Sequence, residues 1–267
     1  MYTIGIPEIR EWEMALRDPI STLSSAGVRV ERVTMPDKTR TPWVHWSDKT
    51  LDPNFGWLVP LPFCSIAPVT DLVIAVVLAR QDPAYNLAIP ASIAIPDAPM
   101  QIGLDASVFA SDVLGESYLT DARPDLRMIS APETGAAILG PWPEASAGPP
   151  TLNYTLHVRE FPPLAGAGVW AIVTHAQSLD LRRFLKQIHH PEVSRLTNVE
   201  RALEKQFQGC GVHCCGIHCE EDAQGYIHLW MAWKRDAHSP VERAGVFSAT
   251  TIGLEALAWA KTGLNFD

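Results

Sequence analysis

The chain has no long apolar run: its longest, Leu72 to Ala79, falls far short of the ~20 residues that a membrane helix requires. Its first residues, MYTIGIPEIREWEM, offer neither a basic start nor a continuous apolar stretch, so the sequence predicts no secretory leader, no membrane partner and a cytoplasmic location. There is no GxGxxG, no GxxxxGK[ST] and no GxSxG, which removes support for dinucleotide, P-loop and nucleophile-elbow chemistry. HExxH and EF-hand loops are missing as well, and GAAILG at 135–140 lacks the lysine of a phosphate loop. No known family is recognised in these residues, and no internal repeat or low-complexity tract is found.

Charge is sparse, at 19% of residues against 47% hydrophobic, a balance that suits a folded globular chain and excludes disorder. It is also unevenly shared. Residues 1–150 carry a net −8 and the remainder −1, while the remainder holds eight of the nine histidines and four of the five cysteines. An acidic first half disfavours binding to a phosphate backbone and fits a neutral or basic protein partner, or a second copy of the chain.

Eighteen of the 22 prolines precede Thr151, at spacings too close for long helices. The first half is therefore expected to be mostly β. One helix is predicted near its start, with Pro7 in the first turn, Ile9, Trp12 and Leu16 on one face and Pro19 ending it. Val28–Val33 reads as a strand, and Leu72–Leu78 as a strand buried on both faces. Trp43, Trp46 and Trp57 lie in an aromatic, proline-rich stretch. They are candidates for a partner-binding surface, set against the ordinary alternative that they fill a core.

The segment 140–150, GPWPEASAGPP, is the best boundary, giving a proline-rich domain 1–143 and a second domain 144–267, or one continuous domain. In the second, Leu152–Val158 and Val169–Thr174 read as strands. Ser178 caps a helix whose buried face is Leu181, Phe184, Leu185 and Ile188. Arg182, Arg183 and Lys186 on the same helix are candidate contacts for an acidic partner, or simply a solvated face. Thr197 with Glu200 spells a capping box ahead of Val199, Leu203 and Phe207, and Gly209 ends that helix. A hairpin over 212–219 and 226–234 and a helix over about 250–261 complete an α+β fold, with an antiparallel sheet covered by helices on one face.

The block CGVHCCGIHC at 210–219 concentrates the reactive chemistry. Cys210, His213, Cys214, Cys215, His218 and Cys219 are the residue types zinc prefers, and Cys215 or Cys219 with His213 or His228 could form a thiol and base pair. Against both stands geometry: a strand rises ~3.3 Å per residue, which puts Cys215 and Cys219 about 13 Å apart. If a four-residue turn at 221–224 sets the pairing, Val212 and Cys214 join the core and Cys215 and Cys219 face away, although a slip of one residue exchanges the faces. No cofactor is expected, with zinc as the alternative. The functional expectation is a non-catalytic interaction or assembly subunit; the alternatives are a Cys/His- or zinc-dependent enzyme centred on 210–228 and an RNA-binding subunit.

Overall fold

The fold is that of a computed structural model, which describes residues 1–8, 15–34, 52–66, 71–90, 93, 107–130, 133, 136–140 and 151–248. Mixed α and β structure is built from several sheets and, among the described residues, four helices. Trp43, Trp46 and the expected C-terminal helix over 250–261 lie outside the described residues. No helix there is long and apolar enough to cross a membrane.

By contact the chain separates into two units, each discontinuous in sequence: Met1–Asp82 with Gly166–Arg195, and Pro83–Ala165 with Leu196–Asp267. The first unit holds strands β1 (Thr3–Pro7), β2 (Arg29–Val33), β3 (Phe55–Pro60), β4 (Leu72–Val77) and, from much later in the chain, β10 (Trp170–His175). They form one sheet in the order β2-β1-β3-β10-β4. β1 runs parallel to both β2 and β3, whereas β10 is antiparallel to its neighbours β3 and β4. Its interior strands read as apolar runs because both of their faces are covered: Ile4, Ile6, Leu58, Val59, Ala171 and Ile172 are fully buried. Trp57 lies in this core with Phe55, Val59 and Val173, so the reading of it as surface is corrected. β4 is an edge strand, and only Val76 and Val77 of it are fully buried, not both faces throughout.

Helix α1 (Arg17–Ser25) follows β1 and precedes β2, a crossover that parallel pairing requires. Pro19 sits in its first turn, where a missing N–H costs nothing, so it begins the helix that it was expected to end. The other helix of this unit, α3 (Leu179–Leu185), starts after Ser178 and buries Leu181 and Leu185 as the periodicity requires.

The second unit contains β5 (Asn86–Pro90), β6 (Ser107–Ala110), β7 (Arg127–Ile129), β8 (Ala137–Gly140) and β9 (Thr151–Thr155). Their order is β7-β6-β8-β5-β9, with β6 parallel to β7 and β8 and with β5 antiparallel to β8 and β9. Helix α2 (Val113–Ala122) is the crossover between β6 and β7, so the first half of the chain holds helices among its strands. Tyr85, Leu87, Val108, Leu114, Tyr118, Ala137 and Leu139 make the core of this unit.

A further sheet of the second unit, β11 (Cys214–Glu221), β12 (Ile227–Lys234) and β13 (Glu242–Ser248), is antiparallel throughout. Helix α4 (Pro191–Gly209) places Leu203 and Phe207 against Cys215, Ile217, Cys219, Leu229, Met231 and Trp233. Thr197 and Glu200, expected as a capping box, lie within this helix, which starts six residues earlier at Pro191. Both are buried, and a Glu200 carboxylate oxygen accepts the backbone N–H of Cys219 at 2.7 Å. Gly216 is required where β11 passes the loop before β10: a Cβ there would run into the Pro162 carbonyl oxygen, with Tyr118 Oη 2.8 Å away. The N–H of Ile217 next to it donates to Pro163 O at 2.7 Å.

Candidate functional site

The hairpin register decides the fate of the cysteine block. Glu221 pairs with Ile227 and Cys215 with Trp233, so the loop spans 222–226, not 221–224. That odd shift exchanges the faces. Cys215 and Cys219 point into the α4 core, and Cys214 turns to the opposite face, where its sulfur lies 3.5 Å from Ser117 Oγ. Burial pushes the Cys215 thiol far above its ordinary range and raises that of Cys214 as well, which suppresses the thiolate a nucleophile needs. Cys210 and His213 are exposed at the end of α4 and the start of the hairpin. Among the described residues no three His, Cys, Asp or Glu side chains converge as a metal site. Of the residues proposed for an acidic partner, Arg183 pairs with Asp180 at 3.2 Å, Arg182 donates to the Ala176 carbonyl at 3.2 Å, and Lys186 is exposed.

The face of the hairpin that turns away from α4 carries a stack. His218 and Trp230 are cross-strand partners, and their rings lie 6.1 Å apart at 13°; Trp230 and His228 lie 5.5 Å apart at 9°. The Arg159 guanidinium sits 5.0 Å from the Trp230 ring centroid. Each histidine meets a carboxylate, His228 Nε2 with Asp222 Oδ2 at 2.7 Å and His218 Nε2 with Glu220 Oε2 at 3.4 Å. Hydrogen bonds from the imidazoles hold both carboxyls below their ordinary range. His218 and Trp230 are almost fully buried, so this layer braces the hairpin and leaves no open stacking platform.

Two features of the second unit were not singled out in the sequence. At the carboxyl end of β6, Asp112 caps α2: its Oδ1 accepts from Gly115 N at 2.8 Å and from Tyr85 Oη at 2.9 Å, and its Oδ2 meets Ser111 Oγ at 3.3 Å. Burial raises its carboxyl above the usual range despite those bonds. The signal was an Asp immediately before the apolar pair Val113–Leu114.

The second feature is a cleft of about 480 Å³ along α2. One wall is the helix face formed by Val113, Glu116, Ser117, Thr120 and Asp121 at helical spacing. The other is His213, Lys234 and the 237–240 segment. Asp236 shapes that segment by accepting the N–H groups of His238 and Ser239, each at 2.8 Å. Lys234 is 8% exposed, and its Nζ donates to the Ala237 carbonyl at 3.1 Å. The Ser117 and Thr120 hydroxyls donate to carbonyls of α2 itself, at 2.8 and 3.0 Å, and Asp121 Oδ1 accepts from Val241 N at 3.3 Å, so the chemistry of the cleft rests on its charged and imidazole groups.

No family model matches the sequence, and neither does any curated protein. Solved structures of similar fold exist. The periplasmic VFT2 domain of Bordetella pertussis BvgS is 11% identical, with 75% of this chain and 93% of that one covered and a TM-score of 0.41. A periplasmic substrate-binding protein of a Coxiella burnetii ABC transporter is 12% identical, with 73% and 94% covered and a TM-score of 0.42. The substrate-binding domain of a putative molybdenum ABC transporter from Clostridium difficile is 6% identical, with 73% and 94% covered and a TM-score of 0.43. Two of these three neighbours are described as substrate-binding proteins, which runs against the expectation of an assembly subunit.

Proposed function

We propose that the chain binds a small molecule at the carboxyl ends of its parallel strands. One observation carries the reading: both five-stranded sheets have the same order. In each, the first strand lies between the second and the third, and the fourth is reached across a single antiparallel strand. That antiparallel strand, β10 in one unit and β5 in the other, is in each case the first strand after the chain crosses from one unit to the other. Where strand order reverses on either side of a first strand, the connections depart to opposite faces and leave a crevice beyond the carboxyl ends. Open α/β sheets bind ligands there.

In the second unit this point is the end of β6, where Ser111 and Asp112 lead into α2 and its N-terminal amides. In the first it is the end of β1 at Glu8, beside the short 3-10 turn Leu61–Ile66 that follows β3. Substrate-binding function in proteins of similar fold agrees with a binding role but is not needed for the reading.

A thermal-shift screen of the intact chain against small polar metabolites tests it, followed by hydrogen exchange with any hit. A ligand at 100 times its Kd should add about 2.7 kcal/mol of stability. Slowed exchange at Ala110–Gly115, or at Glu8 and Leu61–Ile66, is the expected footprint. No hit at all, or protection confined to β11–β13, would overturn the proposal.

A further inference from the structure

The α2 cleft combines features that a solvated groove does not require. Lys234 is more than nine-tenths buried, yet its ammonium has one carbonyl acceptor for three N–H donors. No carboxylate among the described residues lies within ion-pair distance of it. An anion entering the cleft would take the remaining N–H donors of this ammonium, whose electrostatic partner is the Asp236 carboxylate. The imidazoles of His213 and His238 line the same wall. Facing them, α2 presents Glu116 and Asp121, both exposed, so the two walls carry opposite charge. The volume, about 480 Å³, lies within the range of small-molecule sites.

Opposed walls select the ligand class. A polyanion such as inorganic phosphate would gain Lys234 and meet repulsion from Glu116 and Asp121; a diamine would meet the reverse. A molecule with an anion at one end and a cation at the other satisfies both. We propose that this cleft is a binding site for a small zwitterion, its carboxylate held by Lys234 and its ammonium by Glu116 and Asp121. The site lies wholly within the second unit and stands on its own observations, so it does not depend on the crevice at the strand ends.

Calorimetric titration of the intact chain with 4-aminobutyrate and 6-aminohexanoate tests it, with butyrate and butylammonium as single-ended controls. At least one amino acid should bind, and the controls should bind at least about tenfold more weakly, the worth of one charge-assisted contact. Lys234→Gln should lose at least the same factor. Because Lys234 is buried and that variant can fail to fold, the double variant Glu116→Gln/Asp121→Asn at exposed positions gives a second reading. It should reduce amino-acid affinity about to that of butyrate. Absence of binding by every probe, equal affinity for butyrate and 4-aminobutyrate, or unchanged affinity in the double variant would overturn the proposal. A footprint on Glu116–Asp121 and Lys234–Pro240 distinguishes this site from one at the end of β6.

Discussion

Asp112 does two opposed things. Its Oδ1 anchors the first turn of α2 and accepts a hydrogen bond from the Tyr85 hydroxyl, which favours the folded chain, while its burial penalises the charge. Because the folded carboxyl titrates above the unfolded one, the native state holds the extra proton between the ordinary carboxylate range and the raised value. Stability therefore falls as pH rises through that window. Asp112→Asn keeps the acceptor and discards the charge. In urea unfolding it should change stability at pH 7 by no more than about 0.5 kcal/mol, since Asn and Asp cap almost equally, and it should remove this pH dependence. Asp112→Ala should cost about 1 kcal/mol for the lost cap, plus about 1–3 kcal/mol for the Tyr85 hydroxyl left unpaired in the core. Equal losses in both variants would show that the carboxylate charge, not its acceptor role, is what the site needs. Asp112 was legible as a helix start, but its partner Tyr85, 27 residues away, was not, because that pairing exists only once β5 and β6 share a sheet.

At the scale of elements, local pattern predicted the type of segment better than its ends. β2, β9, β10, α3 and the hairpin strands lie where alternation and helical spacing put them. What failed was punctuation. Pro19 and the Thr197/Glu200 pair have two structural meanings each, and only neighbours choose between them: Glu200 serves as a buried acceptor for β11 because α4 continues upstream to Pro191. The hairpin turned on a longer loop, held by Asp222, whose Oδ1 accepts both Gln224 N and Tyr226 N at 2.9 Å. β13, which pairs with β12 along its length, was not expected at all. The resulting face assignment has a direct check. Under native conditions iodoacetamide should modify Cys210, which is exposed, and spare Cys215 and Cys219 until the chain is denatured. Peptide mass spectrometry reads each site, and native alkylation of Cys215 would show that β11 does not present that face to α4.

For the molecule as a whole, the decisive pairings are long-range, and no local pattern encodes them. β10 lies more than ninety residues after β4 in the chain, yet in the first sheet it is inserted between β3 and β4, bonded to both. It also supplies Ala171, Ile172 and Val173 to the buried interior of that sheet. The boundary expected near 143 falls inside the Pro83–Ala165 segment of the second unit, and the chain's return to its first unit at Gly166 left no local mark in the sequence. The consequence can be tested on a fragment. Residues 1–143 contain β1 to β4 but lack β10, so β3 and β4 would each present an unpaired apolar edge, and the sheet would be cut in two. Such a fragment also loses β9, which pairs with β5 along Asn86–Pro90 in the second sheet. It should therefore show no cooperative thermal transition and a poorly dispersed amide spectrum, whereas the intact chain should show a cooperative transition and a well-dispersed spectrum. Each sheet takes a strand from after residue 143, β10 in the first and β9 in the second, so a fragment 1–143 that folded cooperatively would mean that these strands are additions to the sheets and not needed to complete them.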